Sequence, residues 1–229
     1  MKKIFEKYET FFCILLIVFY IVINSYCLEN FVIYDYRSVI TNTVFSISLV
    51  ILILILKRKE YYGLIKVRDS KKYLYFIPLG LIISVNLWNG FNINNSMVEI
   101  IFFILNMINV GFIEEIIFRG FLFKMMAKDN VRNAIIVSSI TFGIGHIINL
   151  FFGANVILTL MQILYSIAIG YLFVIIFYKS KSLIPCIVTH CLVNALSVFS
   201  IDNFITTYVS SVFLIIVPLV YAIYIYKNV

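Results

Sequence analysis

The sequence predicts an all-α, polytopic membrane protein of about eight transmembrane helices, with both termini cytoplasmic. Three observations carry that expectation. The 229 residues are 63% hydrophobic and 13% charged, with mean hydropathy +1.05, whereas a soluble domain carries roughly 25% charged residues. Apolar runs of about 20 residues, enough for a helix to cross the hydrocarbon, recur along the whole chain. Lysine and arginine alternate from one loop to the next.

The runs fall near 11–28, 39–56, 73–91, 98–124, 133–151, 155–178, 182–200 and 204–226. Charge or turn chemistry separates them, as in KRKEYYGLIKVRDSKK, NGFNINN, AKDNVRN, FGAN, KSKS and IDN. Lys2 and Lys3 ahead of the first run give it the look of a signal peptide. However, Glu6 and Glu9 interrupt the would-be basic region and NSYCL offers no small-residue cleavage site, so it counts as a span. With eight spans, all but two of the 18 basic residues, Arg37 and Arg119, fall before the first span, in alternate loops or at the end. By the positive-inside rule that side is the cytoplasm. The +7 net charge is therefore a topology signal with some attraction to anionic lipid near residues 57–72, and not a nucleic-acid patch. Cys13, Cys27, Cys186 and Cys191 all sit in apolar stretches without a CxxC pair, so no disulfide framework or cysteine zinc site is expected. No linker separates a soluble part. Residues 1–229 read as a single integral membrane domain, with the chemistry-bearing core at about 98–200.

Ionisable residues inside spans need an explanation, since each charge costs about 2.5–3.5 kcal/mol at a bilayer centre on insertion scales. Glu114, Glu115 and Arg119 lie in GFIEEIIFRG, His146 in TFGIGHIIN, and His190 with Asn194 in THCLVNA. His146 and His190 are the chain's 2 histidines. Counted at 1.5 Å per residue from the cytoplasmic ends, Glu114 lies about 15 Å deep, His146 about 20 Å, His190 about 12 Å and Asn194 about 18 Å. Three helices of alternating direction thus bring their polar residues to one level, as a shared site requires.

Helical spacing separates the two glutamates. Glu115 and Arg119 are i and i+4 with the acid first, the favourable order for a pair. Glu114 points about 100° away and lacks that partner. Phe142 with His146, and His190 with Asn194, are again i and i+4; Phe142 reads as packing or a pocket wall. Gly143 and Gly145 are expected to admit a neighbouring helix beside His146. Asn86, Asn106, Asn109 and Gln162 read as interhelical hydrogen bonders. Cys191 diverges from its neighbour His190 by about 100° and is not read as a nucleophile.

A carboxylate facing an imidazole in a dry site can deprotonate water, and a second imidazole with a carboxamide can donate to an oxyanion. The same side chains, Glu114, His146 and His190, could instead hold zinc. The motifs EEIIFR, FGIGH and HCLVN, read as EExxxR, FxxxH and HxxxN in that order, resemble the CAAX protease and bacteriocin-processing (CPBP, or Abi) family of intramembrane endopeptidases. The resemblance spans residues 111–195 by motif. It implies that Glu114 and His146 activate the attacking water, that His190 and Asn194 form the oxyanion hole, and that Glu115 and Arg119 support them. It leaves open a metalloprotease or a metal-free glutamate mechanism; the metal-free scheme, needing no cofactor, is preferred.

The Ile-, Lys- and Asn-rich composition points to an AT-rich bacterial genome, hence a multi-pass protein of a bacterial plasma membrane. The expected partners are membrane lipid and a membrane-associated peptide or protein substrate. Two other classes compete. A bacteriocin-immunity protein that binds without cleaving would not need the motifs. A proton-coupled transporter would also use buried Glu and His, but the repeated halves of transporters are absent from the sequence.

Overall fold

The computed structural model describes residues 2–67, 76–201 and 203–228, and every regular element among them is helical. A short α1 (Lys2–Lys7) leads into α2 (Glu9–Asn30) and α3 (Tyr36–Ile55). There follow α4 (Leu79–Ser84), α5 (Met97–Met126), α6 (Val131–Phe152), α7 (Val156–Ser180), α8 (Ile184–Phe199) and α9 (Phe204–Asn228). Six of these, α2, α3, α5, α6, α7 and α9, are long and apolar enough to cross a membrane. The protein is a multi-pass membrane protein.

The two remaining expected spans are shorter. Helix α8 measures about 24 Å at 1.5 Å per residue, with its last turn tightened to 3-10 form. Among the described residues of the run 73–91, α4 is the longest helical piece, followed by the 3-10 turn Val85–Leu87. Residues 73–75 lie outside the described residues. Pro78 caps the start of α4, and the NGFN turn, with Gly90 at φ 103°, ends the run.

Burial follows the apolar pattern of each helix. Helix α2 buries Cys13, Tyr20 and Cys27 at seven-residue intervals, together with Glu9, flanks them with half-buried Phe12, Leu16, Ile17 and Ile23, and exposes much of its remaining apolar surface. That single seam suits a peripheral helix whose other faces meet lipid. Helix α3 buries Ser38, Asn42, Phe45, Leu49 and Ile53 at three- and four-residue spacing. Helix α5, apolar on all sides, is buried continuously from Ile113 to Phe123, as expected of a central helix. It packs against α3 and α8, while α7 packs against α6 and α9.

Polar residues fasten these contacts. The Asn42 amide donates to Asn106 Oδ1 at 2.7 Å, Asn109 to Thr43 Oγ1 at 3.0 Å, Asn86 to the Val193 carbonyl at 2.6 Å, and Asn149 to Gln162 Oε1 at 3.0 Å. All four expected interhelical hydrogen bonders therefore act between elements. A Cβ at Gly143 would fall 2.8 Å from the Ile163 carbonyl oxygen, so glycine there lets α6 and α7 touch backbone to backbone. Gly145 does not share that role, because nothing lies within 4 Å of its would-be Cβ.

The basic segments gather at one end of the bundle. Arg58 pairs with Glu6 at 2.6 Å and Glu9 at 3.2 Å, and Lys128 also pairs with Glu9. The Lys179 ammonium lies 5.0 Å from the Tyr226 ring centroid near the end of α9. The N-terminal segment, the loop after α3, the turn after α5 and the end of α9 thus share one face, as the charge alternation requires. Arg68, Lys71 and Lys72 of the same loop lie outside the described residues.

Candidate active site

The local chain geometry changes where the chemistry sits. Helix α5 is α-helical to Glu115 and then runs as an eight-residue π-helix, Ile116–Phe123. Such stretches are rare and usually single-turn. Helix α6 is α-helical to Ile144 and tightens to 3-10 form over Gly145–Phe152, carrying His146. Helix α8 supplies His190 and Asn194 from a regular stretch.

Behind the site, Arg119 is fully buried with its Nη1 3.0 Å from Glu115 Oε1. The guanidinium lies over the Phe142 ring at 4.0 Å and near Phe173 at 5.7 Å. None of its nitrogens has an aligned hydrogen-bond acceptor among the described residues. Coulomb attraction and aromatic faces hold it. A Cβ at Gly170 would come 3.0 Å from Arg119 Nη2 and 3.2 Å from Phe142 Cδ1, so that glycine makes room for the guanidinium.

Glu115 has a second partner: His190 Nδ1 lies 2.8 Å from its Oε1. The other ring nitrogen, Nε2, lies 3.3 Å from Glu114 Oε2. Glu114 is not free, contrary to the helical-spacing expectation. Its Oε1 accepts a 2.6 Å hydrogen bond from the hydroxyl of Tyr20, itself only 6% exposed, on α2. Helical spacing reports neighbours on the same helix only, so it could not reveal a donor 94 residues away. Tyr20 is a site-lining residue not foreseen from the sequence; its one trace there is the seven-residue spacing with Cys13 and Cys27.

The contacts explain how these charges coexist. Glu115 meets both the Arg119 guanidinium and one ring nitrogen of His190, while Glu114 meets the Tyr20 hydroxyl and the other ring nitrogen. Buried charges are tolerable when each is paired, and here partners from α2 and α8 join the Glu115–Arg119 pair of α5.

Glu114, His146, His190, Asn194 and Phe142 line one cavity of about 370 Å³, with Tyr20 and Tyr165 in its wall. Phe142 stands edge-on to both imidazoles, 5.7 Å from each ring centroid. The three helices thus deliver the motif residues to one space, as the depth estimate requires. Glu115 and Arg119 stay behind it. An apolar neighbour of about 340 Å³, lined by Ile17, Ile21, Phe118 and Ile147, shares Tyr20, Glu114 and His146 with it. Cys191 turns away, its thiol donating to the Ile108 carbonyl at 3.3 Å.

The fit to zinc is partial. Glu114 Oε2 and His190 Nε2 are separated as two ligands of one tetrahedral ion are, about 3.4 Å for bonds of 2.0–2.2 Å. The bond from His190 Nδ1 to Glu115 also has the form of a histidine held by an outer carboxylate. A third ligand is missing, because no three His, Cys, Asp or Glu side chains gather around a common point among the described residues. His146 is not brought into a shell with the other two.

Residues 95–196 match the family model of type II CAAX prenyl endopeptidase Rce1-like proteins. The similarity, over just under half of the chain, supports a CAAX protease family assignment for this segment. No curated protein and no solved structure gives a significant match. The family supports CAAX intramembrane endopeptidase activity in general terms. The matched segment contains Glu114, Glu115, Arg119, Phe142, His146, His190 and Asn194, and stops short of Tyr20.

Proposed function

We propose that the protein hydrolyses a peptide bond of a membrane-associated peptide or protein, using water activated by Glu114 and His146 within a bacterial plasma membrane. The observation that carries this reading is the single cavity lined by Glu114, His146, His190 and Asn194. In this scheme Glu114, acting as a carboxylate, takes a proton from water oriented by His146. The hydroxide attacks the carbonyl carbon. His190 Nε2–H and the Asn194 amide donate to the oxygen as it becomes anionic. The C–N bond then breaks, and the proton held by Glu114 passes to the leaving amine. Tyr20 and Glu115 position the two ends of this relay. The scheme uses no cofactor.

The test is cleavage of a membrane-tethered peptide by purified protein in liposomes, with and without a strong chelator. Wild type is expected to cleave under both conditions. Glu114→Gln and His146→Ala are expected to lose about 10²–10⁴-fold in rate at unchanged protein level. Near-wild-type cleavage by either variant removes that residue from the mechanism. Loss on chelation, restored by stoichiometric zinc, replaces the metal-free scheme with a zinc scheme on the same residues. Protection against a bacteriocin that survives both substitutions identifies a binding protein instead. Reporter fusions after Val229 and within residues 92–96 are expected to give opposite signals, with the C-terminal one cytoplasmic; equal signals mean that a span is miscounted.

A further inference from the structure

At the basic end of the bundle lies a second cavity, about 560 Å³, away from the catalytic residues. The ends of α5 and α7 and the loop after α3 build it. Among the described residues, three ammonium groups, Lys124, Lys179 and Lys181, share its lining with one acid, Glu60. Aromatic walls accompany them. Lys124 Nζ lies 4.3 Å from the Tyr61 ring centroid, and Lys181 Nζ lies 4.4 Å from that of Tyr178.

The walls are fixed by hydrogen bonds rather than left as free loop. The Tyr61 hydroxyl donates to the Lys124 carbonyl at 3.1 Å, Leu183 N to the Gly63 carbonyl at 2.8 Å, and the Ser182 hydroxyl to the Ile65 carbonyl at 2.6 Å. Cations held against aromatic faces at the end of membrane-spanning helices match an amphiphilic anion. Its charge would meet the lysines and its apolar portion the rings. A small inorganic anion would make no use of the rings.

We propose that this cavity binds the phosphodiester headgroup of an anionic phospholipid. The site does not depend on the catalytic reading, and its test needs no substrate. Full-length protein would be reconstituted in mixed phosphatidylglycerol and phosphatidylcholine nanodiscs, extracted, and its retained lipid quantified by mass spectrometry. Wild type is expected to retain phosphatidylglycerol preferentially. Lys181→Gln, at an exposed position, is expected to lower that preference about fivefold, the factor corresponding to one lysine near an anionic surface. The triple Lys124→Gln, Lys179→Gln, Lys181→Gln is expected to lower it about a hundredfold.

The control removes equal charge at the same end but outside the cavity: Lys3→Gln, Lys57→Gln, Lys59→Gln. It is expected to keep the preference. Loss of preference in the control to the same degree as in the triple means general surface attraction and overturns the site. An unchanged preference in Lys181→Gln, folded by its melting temperature, overturns it as well. Displacement of the lipid by millimolar inorganic phosphate identifies a free-phosphate site, and the lipid assignment falls.

Discussion

Helices α5 and α2 are both apolar and both long enough to span a membrane, yet they are buried to opposite degrees. Helix α5 hides every residue from Ile113 to Phe123, whereas α2 hides Glu9, Cys13, Tyr20 and Cys27 alone. A central helix can shelter ions because its neighbours supply counter-ions and aromatic faces. A peripheral helix can contribute only through the few positions on its seam. The site cavity draws on both: α5 carries the carboxylates, and α2 lines the wall with Tyr20, Asn24 and Leu28, of which Tyr20 bonds to Glu114. Sequence motifs therefore locate the first contribution and not the second.

The largest expected effect comes from breaking the buried side of this comparison. Arg119→Ala removes the cation that pairs with Glu115 in a fully buried position. Stranding one partner of a buried pair costs about 3–5 kcal/mol. His190 still contacts Glu115, but the cluster then has one positive charge too few. Lower abundance and a lower melting temperature are expected, measured by quantitative blotting and thermal unfolding in detergent. An abundant, stable and inactive variant would instead make Arg119 a participant in the chemistry.

The seam of α2 ranks next. Tyr20→Phe keeps the ring and removes one hydrogen bond to a carboxylate, 2.6 Å long in the structure. Hydrogen bonds to charged groups contribute about 1.5–3 kcal/mol, so a loss of about 10–150-fold in kcat is expected with the variant still folded. Wild-type kcat in Tyr20→Phe would reduce Tyr20 to a packing residue.

The fold class, the meeting of the motif residues at one cavity and the Glu115–Arg119 pair were legible because each depends on spacing within a helix. The interhelical roles of Asn86, Asn106, Asn109 and Gln162 were legible because a buried amide needs a partner. Other features depend on which helices meet and how the backbone deforms. The contacts of His190 with both glutamates join α8 to α5, and the donor from Tyr20 joins α2 to α5. The π-helical stretch at Ile116–Phe123 follows from no propensity in IIFRGFLF. Gly143 and Gly145 look alike in sequence and differ in the fold, since only Gly143 faces α7.

The lipid face of α2 supplies the smallest effect and the sharpest control. Val22 is two residues from Tyr20 and 58% exposed. Inside a packed core, removing two methyl groups opens a cavity and costs several kcal/mol. On a lipid-facing surface the acyl chains are as apolar as the side chain and fill the gap themselves. Val22→Ala is therefore expected to change stability by no more than about 0.5 kcal/mol and to leave kcat within twofold. Melting temperature and peptide cleavage, measured beside Tyr20→Phe in the same liposomes, decide the point. If Val22→Ala lost activity as Tyr20→Phe does, the outer face of α2 would be touching substrate or a partner chain, and the division of α2 into a working seam and an idle face would be wrong.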